Sequence, residues 1–92
     1  DVELFYSEFK GTFLFTSDGR NYLLDTTLEA LEKELDPTKF FRISRKYIIC
    51  HTGLKDIVVY SNSRLKLTLK SYNKEEVIVS RERVGEFKEW LG

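Results

Sequence analysis

The sequence predicts a mainly-β domain of antiparallel strands, and three observations carry that prediction. Apolar residues recur at every second position over short runs, the pattern of a strand with one buried face. Short polar turns separate these runs, with no helical stretch between most of them to carry a parallel crossover. Only two stretches show apolar spacing of three and four residues, so about eight strands and two short helices account for the chain.

The elements follow in order. Val2 to Tyr6 is apolar with a single charge, and Thr12 to Thr16 carries aromatics at period two. Asp18-Gly19 then marks a tight hairpin whose return strand is Asn21 to Leu24. Thr26 with Glu29 three residues on has the form of a capping box, and Leu28, Leu31 and Leu35 give the following helix one apolar stripe. Glu29 and Lys33 are spaced for a side-chain pair, and Pro37 stops the helix by excluding the α conformation at Asp36. Period two then returns in Phe40 to Ile43, Tyr47 to Cys50 and Leu54 to Tyr60. After a Ser61-Asn62-Ser63 turn, Arg64 to Leu69 alternates without a fault, which puts Leu65, Leu67 and Leu69 on a core face. Tyr72-Asn73-Lys74 reads as a turn and Glu76 to Val79 as the last strand. Ser80 is placed to cap a terminal helix with Val84, Phe87 and Leu91 on one face and Trp90 beside them.

The 92 residues, 41% hydrophobic and 33% charged, suit one globular domain over 1–92 and leave no room for a second lobe. The opening Asp1-Val2-Glu3-Leu4 lacks the basic and apolar regions of a signal peptide and reads as mid-strand, which suggests a piece of a longer chain. No apolar run approaches the roughly 20 residues of a spanning helix, so no membrane partner is expected. The single cysteine, Cys50, can form no internal disulfide, as fits the reducing cytoplasm.

Enzyme chemistry finds no constellation. His51 adjoins Cys50, but neighbours on a strand point to opposite faces and make a poor base and nucleophile pair; a buried thiol and a loop-edge imidazole are the better reading. The five glycines stand singly and form no phosphate loop. Glu75-Glu76 reads as a solvated turn, and no metal-ligand spacing or cofactor motif occurs.

Charge says more through its distribution than its total. Fifteen basic and fifteen acidic side chains cancel, which taken alone argues against nucleic acid. Residues 1–36, however, hold nine acids and three bases, net −6, and residues 37–92 hold six acids and twelve bases, net +6. Lys39, Arg42, Arg45 and Lys46 lie in one acid-free stretch, and Arg81 and Arg83 flank the start of the last helix beside Ser80. A helix start with a hydroxyl and two arginines suits a phosphate, and arginine suits guanine in a major groove. The same residues could equally decorate solvent-facing strand edges. A small β protein-interaction module, using exposed aromatics with Arg64 and Lys66, is the alternative.

Three segments together carry a resemblance: Phe40-Phe41-Arg42-Ile43-Ser44-Arg45-Lys46-Tyr47-Ile48-Ile49, then Leu54-Lys55-Asp56-Ile57, then Val77-Ile78-Val79-Ser80-Arg81. In that order, with the Asp18-Gly19 turn and Thr27-Leu28-Glu29-Ala30-Leu31-Glu32 upstream, the chain resembles the LytTR DNA-binding domain over nearly all its length. The resemblance implies small antiparallel sheets stacked side by side. It also implies the output domain of a bacterial response regulator, behind a receiver domain. Such a domain reads double-stranded DNA through loops, in major grooves at paired direct repeats, with two copies assembling on the DNA.

Transferred residue by residue, the resemblance points to three regions. The first is the turn Phe9-Lys10-Gly11-Thr12, with Lys10 and Thr12 as candidates. The second is Arg45, reading bases, flanked by Ser44 and Lys46 on phosphates. The third is Ser80, Arg81 and Arg83; the two arginines share the base-reading role, with Glu82 the alternative in strict register. Arg42 would buttress the second loop by pairing with an acid. The chain departs from the family pattern at Cys50, where asparagine is frequent, and in the thin first loop before Phe13.

Overall fold

A computed structural model describes all residues from Asp1 to Gly92. Eight strands form two antiparallel sheets. β1 (Val2–Glu8), β2 (Gly11–Thr16), β3 (Asn21–Leu24), β4 (Phe40–Arg42) and β5 (Tyr47–Cys50) make a five-stranded sheet in the order β3-β2-β1-β5-β4. β6 (Leu54–Tyr60), β7 (Arg64–Leu69) and β8 (Val77–Val79) make a three-stranded sheet in that order. α1 (Leu28–Glu34) follows β3, and α2 (Val84–Leu91) closes the chain. No helix is long and apolar enough to cross a membrane.

The larger sheet is buried on both faces at its centre, which explains why β1 does not alternate cleanly. Leu4 and Tyr6 join Tyr47 and Ile49 in the main core, where Leu65, Leu67, Leu69, Val77 and Val79 of the smaller sheet meet them. Phe5 and Ile48 point the other way, into a smaller cluster with Leu28 and Leu31 of α1. The two apolar leucines of α1 thus cover one face of the sheet while the second sheet covers the other. Phe87 anchors α2 in the main core with no exposed surface. Trp90 stacks near Phe41 and Phe87 and donates its indole N–H to the Pro37 carbonyl at 2.9 Å.

Several local expectations are corrected. The cap of α1 is Thr27, not Thr26: its hydroxyl accepts from the Ala30 N–H at 3.1 Å. With the start moved one residue, the Thr26 and Glu29 spacing no longer matches a capping box. Glu29 pairs with Arg42 instead of Lys33, at 3.4 Å. The helix ends at Glu34, before Pro37, and Asp36 accepts the Thr38 N–H and hydroxyl in a side-chain turn. Ser80 caps nothing: a 3-10 turn, Arg81–Arg83, intervenes before α2. Tyr72-Asn73-Lys74 lies in the irregular connection between β7 and β8 as expected, but Tyr72 itself is buried there. It is 4% exposed, packs edge-on to Phe15, and shares a hydroxyl contact of 3.0 Å with Tyr47. Burial, with that hydrogen bond, pushes the Tyr47 phenol far up, so it stays protonated.

One polar staple ties the sheets together. Glu3, on β1, has no exposed surface, and its Oε1 accepts the N–H groups of Ser71 and Tyr72, both at 3.0 Å. Its Oε2 has no partner. Gly53 lies against the same residue: a Cβ there would stand 2.7 Å from Glu3 Cα, so no larger residue fits without moving backbone.

Candidate nucleic-acid interface

The three regions singled out in the sequence lie along one edge because backbone hydrogen bonds join them. The Ser7 N–H, at the end of β1, donates to the Lys46 carbonyl at 2.9 Å, which ties the first turn to the second loop. The Ser80 N–H and hydroxyl both donate to the Ile43 carbonyl, at 3.0 and 3.1 Å, which ties the third segment to the same loop. The loop between β4 and β5 is therefore the centre of the edge, with a turn on each side.

Arg42 shapes that loop from beneath. Its side chain is 10% exposed; Nε donates to the Ser44 carbonyl at 3.0 Å and Nη2 to the Arg45 carbonyl at 2.9 Å. The carboxylates of Glu29 and Glu32, on α1, stand 3.4 Å from the guanidinium. The expected buttress is thus present. Ser44 completes the turn by accepting the Lys46 N–H on its hydroxyl at 3.2 Å. With both carbonyls held from below, the Arg45 side chain projects outward, exposed and with no hydrogen bond or ion pair inside the chain.

The first turn is a tight hairpin in which Phe9 and Lys10 both take positive φ, +51° and +63°. Lys10 is exposed and lines a shallow concavity with Ser7, Gly11, Thr12 and Arg45. Thr12 is only 5% exposed and belongs to the base of the hairpin, paired with Ser7 and Leu24. Phe9, at the tip, is 92% exposed, and the sequence reading did not single it out.

The third segment divides. Arg81 is exposed and lines an open concavity of about 560 Å³ with Ser44, Lys46 and Ser80. Arg83 turns toward α1 instead, 3.9 Å from both Glu32 and Glu86. Of the two arginines that shared one role, only Arg81 joins the other candidates. The Ser80 hydroxyl proton is committed to Ile43, so its part in the edge is to hold the third segment against the second.

The larger concavity also contains residues that sequence reasoning did not assign to it, though Glu82 stood as the alternative in the third region and Arg64 in the alternative partner surface. Asn62 and Arg64, from the β6–β7 turn, line it, as do Glu75, Glu76 and Glu82. Nothing local to the β6–β7 hairpin signals this, because packing between the sheets alone brings it there. Glu75 and Glu76 do not form a merely solvated turn. Lys46 Nζ meets Glu75 at 2.5 Å, and Lys66 Nζ meets Glu76 at 3.1 Å. Burial pulls the Lys46 pKa down, but the hydrogen bond and charge of Glu75 more than offset this and leave it above the ordinary lysine value. The hydrogen bond from Lys66, its charge and the Tyr60 hydroxyl hold Glu76 below the ordinary carboxylate value. Arg64 lies over the Tyr60 ring and donates to Ser61. The Arg64 and Lys66 side chains are therefore each held by contacts within the smaller sheet.

The acidic and basic halves of the sequence interleave in space. Glu29 and Glu32 of the acidic half neutralise Arg42 and Arg83 of the basic half. Lys10, Arg45 and Arg81 remain exposed and unpaired along the edge. His51 sits against Trp90 at 5.3 Å, and Cys50 is buried with its sulfur 3.3 Å from the Thr52 hydroxyl, so the two do not act together.

The family model described as the LytTr DNA-binding domain matches residues 1–92. The sensory transduction protein LytT of Enterococcus faecalis is 36% identical over 75 residues, covering 82% of this chain. The match covers 30% of that relative's length. Among solved structures, the LytTr DNA-binding domain of a response regulator from Bacillus cereus superposes with a TM-score of 0.86 at 24% identity, covering 99% of this chain and 81% of that one. The fold is shared, and the matching family is one of DNA-binding domains and not of enzymes. The chain belongs to the LytTr DNA-binding domain family.

Proposed function

We propose that this domain is the output module of a bacterial response regulator, working in the cytoplasm behind a receiver domain. It binds double-stranded DNA through major grooves at paired direct repeats, with two copies assembling on the DNA. The observation that carries this reading is the edge itself: three unpaired, exposed cations, Lys10, Arg45 and Arg81, on segments joined through Ser7–Lys46 and Ser80–Ile43. A rigid row of cations spaced along loops suits successive phosphates and base edges better than it suits a small ligand. The named LytT relative, a sensory transduction protein, supports the signalling context.

Arg45 and Arg81 are the base readers, and Lys10 and Lys46 anchor phosphates. Ser44 and Ser80 set the loop geometry, and Thr12 and Arg83 support from behind. The test is selection from a random duplex library, followed by affinity measurements over a salt series. Arg45→Ala is expected to lower specific binding by roughly 1–3 kcal/mol with an unchanged melting temperature, because its side chain has no partner in the fold. Unchanged affinity for the selected repeat would remove Arg45 from the role. A duplex affinity with no salt dependence would favour a protein-interaction module.

A further inference from the structure

The concavity beside Arg81 is not a basic funnel. Its walls carry three cations, Lys46, Arg64 and Arg81, and three carboxylates, Glu75, Glu76 and Glu82. A surface shaped only for phosphates would not place carboxylates there, because each lowers the local potential that attracts an anion. The carboxylates differ in what they hold. Glu76 pairs with Lys66 and accepts from the Tyr60 hydroxyl, on the strands of the smaller sheet. Glu75 alone reaches across to the central loop of the edge, where it takes Lys46 at 2.5 Å. Both partners remain open to water, with side-chain exposures of 32% for Lys46 and 45% for Glu75. An exchange with an incoming anion is therefore sterically open.

We propose that Glu75 is an internal stand-in for a DNA phosphate: it occupies the Lys46 ammonium in the free domain and must yield it on binding, which limits sequence-independent affinity. This rests on the reading of Lys46 as a phosphate anchor. A carboxylate and a phosphate compete for the same three N–H donors, and an exposed lysine pair is weak enough to break. Because phosphate contacts are blind to sequence, the cost of displacing Glu75 falls on bulk and cognate DNA alike, while base reading by Arg45 and Arg81 stays in place. Bulk DNA is therefore held more weakly, and the ratio of cognate to bulk affinity is left to the base-reading arginines.

The experiment uses the 92-residue chain with two fluorescein-labelled duplexes, one of mixed sequence and one selected from a random library, read by anisotropy across a salt series. Glu75→Gln keeps an oxygen to accept from Lys46 but loses the charge. It is expected to bind the mixed duplex about three- to tenfold tighter at low salt and to steepen the salt slope by up to about one unit. In a Lys46→Met background the same change is expected to alter affinity by less than about twofold. An equal gain in that background would assign the effect to the general field of a carboxylate and overturn the proposal. So would a Glu75→Gln domain that binds the mixed duplex no tighter than its parent while Lys46→Met weakens binding. If Lys46→Met leaves both affinity and slope unchanged, Lys46 is not a phosphate anchor, and the contact reading falls together with this inference.

Discussion

Replacing Arg42 by lysine isolates what the guanidinium does, because the charge is kept and the planar fork is lost. Arg42 makes two hydrogen bonds to backbone carbonyls, at 3.0 and 2.9 Å, from a side chain that is 10% exposed. Bonds from charged donors contribute about 1.5–3 kcal/mol each. A lysine ammonium could reach one carbonyl but not both with good geometry, so about one such bond is lost. The ion pairs add little: Glu29 is 71% exposed and Glu32 40%, and exposed pairs contribute about 0–1 kcal/mol. The expected loss is therefore about 2 kcal/mol for Arg42→Lys and about 3–6 kcal/mol for Arg42→Ala. At about 4–8 °C per kcal/mol for a domain of this size, the lysine variant should melt roughly 8–16 °C lower. Urea unfolding followed by Trp90 fluorescence measures it. DNA affinity measured well below the unfolding transition should also fall, since Arg45 then projects from a loosened loop. A lysine variant within about 0.5 kcal/mol of the parent, with unchanged DNA affinity, would refute the claim that the fork organises the loop.

Other outcomes follow from the same geometry. Thr27→Ala should lower stability by about 1 kcal/mol in the same urea assay, and Thr26→Ala should not, since only Thr27 accepts the Ala30 N–H. Glu3→Ala removes two hydrogen bonds to a carboxylate and leaves the Ser71 and Tyr72 N–H groups without an acceptor, so a loss of about 3–5 kcal/mol is expected. The carboxyls of Asp36, held down by Thr38, and Glu76, held down by Lys66, have lowered folded pKa values. Their contribution is complete above the ordinary carboxylate pKa and is lost as pH falls through the lower folded values. Stability should therefore decline below about pH 4, and Asp36→Asn should shrink that acid-side decline in a pH series of melts.

How much of this was legible beforehand depended on the range of each interaction. The alternation of Leu65, Leu67 and Leu69 and the Asp18-Gly19 turn are local patterns, and each strand appears where its pattern stands. At Gly19 the turn needs a positive φ of 85°, which glycine accepts without strain. Caps were less legible, because two adjacent threonines offer the same chemistry and only the chain's entry angle chooses Thr27. The turn at Tyr72 was legible from Ser71, Asn73 and Lys74, but its burial was not, because Tyr47 and Phe15 draw its ring into the aromatic core from distant elements.

The candidate edge shows the same division. Lys10, Arg45, Lys46 and Arg81 could be named from the resemblance of the ordered segments to a known family. That Arg83 faces α1, that Thr12 is buried and that Glu75 sits on Lys46 could not, because each depends on which side chain meets it from a distant element. The net charge of zero and its division into −6 and +6 are also properties of the sequence alone. Tertiary structure decides their meaning. Coulomb interactions act over a few ångströms of space and not along the chain, so α1 silences Arg42 and Arg83 while Arg45 and Arg81 stay free. Composition and periodicity determined the strands, the helices and the stock of cations; packing decided which of those cations face outward unpaired.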